Sequence, residues 1–136
     1  MVRVMNLFSI FGNLFGGGGG GRYSVSQQTQ QKISSAWESV TLALQQKSPS
    51  QLRQALITAD KCLDNALRDI MPGETMGERL KAAKDRFDYV TYNKIWEAHK
   101  MRNNLVHEAG YEPPHYTLTD SIEKLRRGLN ALSVKV

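Results

Sequence analysis

The sequence predicts an all-α protein: an antiparallel up-and-down bundle of four to five helices, preceded by a short apolar helix and a glycine linker. Three observations carry that expectation. Apolar residues recur every three to four positions through nearly all of residues 26–136. No stretch alternates apolar and polar residues as a half-buried strand does. The periodic segments are joined by short connections rich in Pro, Gly and Ser, which place successive helices side by side in opposite directions.

Residues 1–15 form the first segment. Val4, Leu7, Phe8, Phe11 and Phe15 lie at helical spacing, and Gly16–Gly21 follow as part of a linker over residues 16–25. The apolar stretch holds only 12 residues and contains Asn6, Ser9, Gly12 and Asn13, whereas crossing a bilayer takes about 20 mostly apolar residues. A signal peptide fits poorly, because the basic start is thin and no Ala-x-Ala-like site precedes the glycines. Three readings of residues 4–15 stay open: a contact with a membrane surface, a helix that docks on a protein partner or on its own bundle, and a disordered leader. The expected location is the cytoplasm, with peripheral membrane contact as one of these readings.

The body, residues 26–136, reads as one helical domain. Its first helix runs from Ser26 or Gln27 to Gln46, with Ile33, Trp37 and Val40 on one stripe, and Ser48-Pro49-Ser50 ends it. Ser50 is the expected cap of a second helix that carries Leu52, Leu56, Ala59, Leu63, Leu67 and Ile70 and stops at Pro72-Gly73. Thr75 and Glu78 make a capping-box pattern ahead of a shorter helix with Leu80 and Ala83. The next helix is expected from Asp88 to Ala109, with Gly110 in position for a left-handed terminus. Beyond Pro113-Pro114 a last helix starts near Thr117 or Thr119 and buries Leu118, Ile122, Leu125 and Leu129.

Composition narrows the function classes. A chain of 136 residues with 40% hydrophobic content suits one domain around one core. Its single cysteine, Cys62, lies on an apolar stripe with no partner, so neither a disulfide framework nor a thiolate metal site is expected. No His, Cys and carboxylate spacing points to a metal, the glycine run lacks the lysine of a phosphate-binding loop, and no cofactor is expected. The net charge is +5, and the body carries 16 basic against 13 acidic residues. That surplus permits RNA as a partner without specifying it.

Residues 89–109 hold the candidate site. At about 100° per residue, Ile95, Ala98, Leu105, Val106 and Ala109 share one side of the helix while Glu97, Lys100, Asn104 and Glu108 share the other. Arg102 falls between Ile95 and Ala98, inside the apolar arc. His99, Asn103 and His107 follow at i, i+4 and i+8 and make a polar stripe on its flank, beside Tyr92 and Trp96. Covering such groups costs about 1–3 kcal/mol each unless they find partners. They therefore form either a structural hydrogen-bond network or the lining of a site at an interface. A planar guanidinium that can grip two phosphate oxygens, with an imidazole able to move a proton near neutral pH, directs attention to phosphate chemistry. His107 lies in the last helical turn, where the helix dipole favours a cation. His115 stands in a proline-rich loop without a second ligand and is given no role.

The string from Trp96 to Glu108, with Arg102, Asn103 and His107 in order, resembles the signature helix of the HEPN superfamily, in which an Arg and a neighbouring polar residue precede a His by a short spacer. The helix with Ala59, Leu63 and Leu67, the Gly73–Leu80 turn and the helix after Pro113-Pro114 resemble the rest of a HEPN bundle, so the similarity spans about residues 26–134. The resemblance implies a metal-independent endoribonuclease, of the kind found among toxins of toxin–antitoxin pairs and RNA-processing factors. Its composite site forms where two copies meet, and it leaves 2′,3′-cyclic phosphate and 5′-hydroxyl ends. In that reading His107 is the general acid or base, Arg102 holds the phosphate, and Asn103 orients His107 or the substrate. His99 and Trp96 are further candidates for substrate binding, His99 without support from the motif and Trp96 by stacking on a base. A homodimer is also expected on physical grounds, because five residues put Arg102 and His107 about 140° apart on one helix. The alternative is a non-catalytic HEPN-like module that binds a nucleotide, RNA or a protein partner, tethered through its N-terminal segment.

Overall fold

The computed structural model describes residues 22–136, so the expected apolar helix at 4–15 and the glycines at 16–21 lie outside the described residues. Five α-helices follow in order among them: α1 (Gln27–Gln46), α2 (Pro49–Ile70), α3 (Met76–Ala82), α4 (Tyr89–His107) and α5 (His115–Ala131), with a single 3-10 turn at Lys84–Arg86. No strand occurs among the described residues. The all-α bundle expected from the periodicity is therefore present.

Four of the five helices start at a side chain that accepts from one of their free amides. The side chains of Ser26, Thr75 and Asp88 accept from the backbone N–H three residues on, at Thr29, Glu78 and Thr91. Ser48, and not Ser50, caps α2, accepting from Gln51 N at 3.3 Å. Pro49 explains the difference: its fixed φ and missing N–H suit the first helical position, which places the cap one residue before it. In the Thr75 box the Glu78 carboxylate reaches back to the amide of Glu74 at 2.8 Å, one residue earlier than the standard pairing. α5 begins two to four residues before the expected threonines, at His115, because the Pro114 carbonyl accepts from the amides of Thr117 and Leu118. Gly110 stands three residues past the end of α4 at φ +79°, where its lack of a Cβ turns the chain toward the two prolines.

Two hairpins make the bundle. α1 packs along α2, and α4 along α5; the pairs join where α2 lies against α5. α2 is the central element, with Leu52, Leu56, Leu63 and Leu67 fully buried beside Ile33 of α1, Leu80 of α3 and Leu125 and Leu129 of α5. α4 and α5 approach closely at Gly128, where a Cβ would come within 2.7 Å of Ile95 Cδ1. Polar ties hold the ends: Asp69 accepts from the Ser26 amide and hydroxyl, and the Gln30 amide exchanges two hydrogen bonds with the backbone of Lys135.

α4 is the least covered of the long helices. Only Ile95 and Ala98 are fully buried on it. The expectation that Val106 and Ala109 lie under protein is not met in the single chain, since Val106 is 47% exposed and Ala109 is exposed. The periodicity of α4 correctly places Ile95 and Ala98 of its middle turns in the core, while both ends of the helix are open, with Tyr89 and Val90 exposed at its start and Val106 in its last turn.

Candidate functional site

The polar stripe of α4 meets one acidic residue of α2. Asp60 is 3% exposed, and its carboxylate lies 3.1 Å from His99 Nδ1 through both oxygens. Its Oδ2 is also 3.7 Å from Arg102 Nε. That separation is an ion pair without a hydrogen bond, and Arg102 Nε is the one buried side-chain nitrogen or oxygen without a hydrogen-bond partner among the described residues. Arg102 Nη1 donates to Asn103 Oδ1 at 3.0 Å. Trp96 stands edge-on to the His99 ring, with centroids 5.9 Å apart, and Tyr92 stands edge-on to Trp96 in turn.

Of the residues singled out in the sequence, Arg102, Asn103, His99 and Trp96 are thus brought together, each partly buried. His107 is not among them. It is exposed, in the last turn of α4, with no hydrogen bond to Asn103. Asn103 is turned toward Arg102, which settles its contact in the single chain: it steadies the guanidinium.

Asp60 escaped the sequence reading, yet a signal was there. It lies four residues after Leu56 and three before Leu63, within the apolar stripe of α2, so the wheel argument that marks Arg102 also marks Asp60. A carboxylate there needs a cationic or hydrogen-bonding partner from another element, and α4 supplies two.

Arg79 provides an internal standard for a structural arginine. It is 6% exposed, its Nε and Nη2 donate to Asp64 Oδ1 at 3.1 and 2.8 Å, and its Nη1 donates to the Gly73 carbonyl at 2.8 Å. Three nitrogens are satisfied. Arg102 uses one hydrogen bond, to its own neighbour in sequence, and keeps a third of its side chain open to solvent.

Several other charged groups pair within the bundle. Lys124 of α5 bridges Glu97 of α4 at 2.9 Å and Asp120 at 3.0 Å, and its hydrogen bond holds the Glu97 carboxyl below its ordinary range. Glu123 pairs with Arg126 and Arg127, whose hydrogen bonds depress it in the same way. Much of the basic surplus on α5 is therefore neutralised locally. Burial pushes the Cys62 thiol up to about 11, so at neutral pH it is a core group and a poor nucleophile. Among the described residues no three His, Cys, Asp or Glu side chains converge to hold a metal, and no helix is long and apolar enough to cross a membrane.

Comparison of the chain with models of protein families, with characterised proteins and with solved structures finds no match. The likeness to the HEPN signature therefore rests on the residues of α4 and on the helical order around them.

Proposed function

We propose that this chain is a HEPN-like, metal-independent endoribonuclease whose site is completed by a second copy. The observation that carries the proposal is the coordination of Arg102: a guanidinium anchored by Asp60 and Asn103 on one side, under-bonded, and still reached by solvent on the other. An arginine kept for packing would be saturated as Arg79 is. One with donor capacity to spare is prepared for an anion of matching shape, and phosphate is the match.

The rest of the site follows from helix geometry. Arg102 holds the scissile phosphate and offsets the charge that builds on it as the ribose 2′-hydroxyl attacks. An imidazole must move a proton, and the exposed His107 cannot reach the phosphate held by Arg102 of its own helix. A twofold contact through the uncovered last turns of α4, centred on Leu105 and Val106, sets His107 of each subunit opposite Arg102 of the other. The half-buried Trp96 lies six residues before Arg102 and is available to stack on a base.

Cleavage of a single-stranded RNA in EDTA tests this reading. Wild-type protein is expected to release products with 2′,3′-cyclic phosphate and 5′-hydroxyl ends, identified by mass spectrometry. Arg102→Ala and His107→Ala should each slow cleavage by about 10²–10⁴-fold. If binding of RNA or a nucleotide persists while wild-type protein cuts nothing, the chain is a binding module. If both variants cut as well as wild type, these residues are not the site.

A further inference from the structure

We infer that Asp60 and His99 form an oriented carboxylate–imidazole pair in which His99 is the general base of the proposed cleavage. The inference rests on the nuclease reading above and assigns the half of the proton chemistry that His107 leaves open.

The geometry supplies the argument. A carboxylate only accepts hydrogen bonds, so the contact of both Asp60 oxygens with Nδ1 at 3.1 Å places the imidazole proton on Nδ1 and leaves the lone pair of the neutral ring on Nε2. Asp60 is almost completely buried, and Trp96 braces the ring from the side, so the orientation is held from two directions. Nε2 makes no hydrogen bond within the bundle, yet it is not among the buried unpartnered atoms, so it reaches the surface. His99 and Arg102 stand three residues apart on α4. Residues at i and i+3 are neighbours on a helix, about 5–6 Å apart at Cβ, a gap that a phosphodiester can bridge. Arg102 and His107 lack that relation, being about 140° apart.

Base and phosphate clamp thus come from one subunit and the acid from the other, which puts the two proton transfers on opposite sides of the phosphorus. The 2′-hydroxyl proton passes to His99 Nε2 as the O2′–P bond forms. The P–O5′ bond breaks, and O5′ takes the proton of the partner subunit's His107. The products are a 2′,3′-cyclic phosphate and a 5′-hydroxyl, and exchange with water resets both imidazoles. Asp60 touches no reacting atom; it is a positioning residue.

The test combines kinetics on the full chain with nitrogen NMR of its histidines. With a short single-stranded RNA in EDTA, His99→Gln and His99→Ala should lower kcat by about 10²–10⁴-fold with little change in KM. Added imidazole should restore part of the His99→Ala rate. Asp60→Asn should lower kcat in the same direction by less, and the wild-type spectrum should show His99 protonated at Nδ1, a preference weakened in Asp60→Asn. If His107→Ala is inactive while both His99 variants keep the wild-type kcat, the pair is structural and the nuclease assignment stands without it. A His99 loss that imidazole does not restore and that parallels a fall in melting temperature, or a wild-type His99 protonated at Nε2, overturns the inference as well. Failure of wild-type protein to cleave removes both proposals.

Discussion

Two arginines in the body of the bundle are coordinated differently, and the difference is measurable. Arg79 closes three hydrogen bonds onto Asp64 and Gly73 while nearly excluded from water. Removing it leaves Asp64, itself only 17% exposed, facing protein without its strongest partner. Arg79→Ala is expected to cost about 3 kcal/mol in urea denaturation. Arg102 makes one hydrogen bond and keeps a third of its side chain open to solvent, and Asp60 retains His99 when it is removed. Arg102→Ala should cost about 1 kcal/mol or less while slowing cleavage by about 10²–10⁴-fold. Comparable destabilisation by both substitutions would mark Arg102 as a second structural arginine.

The contact between α4 and α5 is set by backbone approach at the scale of the element. Alanine in place of glycine inside an exposed helix gains about 1 kcal/mol. At Gly128 the added methyl would sit 2.7 Å from Ile95 Cδ1 and 3.0 Å from its Cγ1, and Ile95 is fully buried. Overpacking of this kind costs about 1–3 kcal/mol, which outweighs the gain in helix propensity. Gly128→Ala is therefore expected to lower stability by about 1 kcal/mol. Trimming the opposing side chain with Ile95→Val should recover part of that loss, although alone it costs about 0.5–1.5 kcal/mol. A double variant that loses less stability than the sum of the two single losses is the expected readout, and strict additivity would show that the two side chains do not compete for the same space. Because α4 carries Arg102 and His99, a shift here should also lower cleavage.

For the whole molecule, the uncovered end of α4 bears on assembly. Leu105 is half-buried and Val106 half-exposed in the single chain, beside a site that holds only one of its two proposed proton-moving groups within reach of Arg102. Sedimentation over a range of concentrations is expected to show a dimer, and Val106→Glu, which sets two like charges near the proposed twofold axis, is expected to give monomers that have lost RNA cleavage. A wild-type protein that sediments as a monomer and still cleaves RNA would contradict a shared site.

Helical periodicity, caps and breakers were enough to place all five helices of the described region, because each depends on residues within a few positions of one another: Ser26, Thr75 and Asp88 start their helices through amides three residues away. The same local logic singled out Arg102 and the His99–Asn103–His107 stripe as polar groups on a face meant for packing. What lay beyond it was pairing. Asp60 and His99 are 39 residues apart in the chain and meet only because α2 and α4 are packed together. Likewise, periodicity assigns a residue to a face of its helix but not whether another helix extends far enough to cover it, and so Val106 and His107 stand open to solvent. Local spacing decides secondary structure and direction; which partner a buried charge finds, and which turn of a helix stays bare, is decided by how the helices pack.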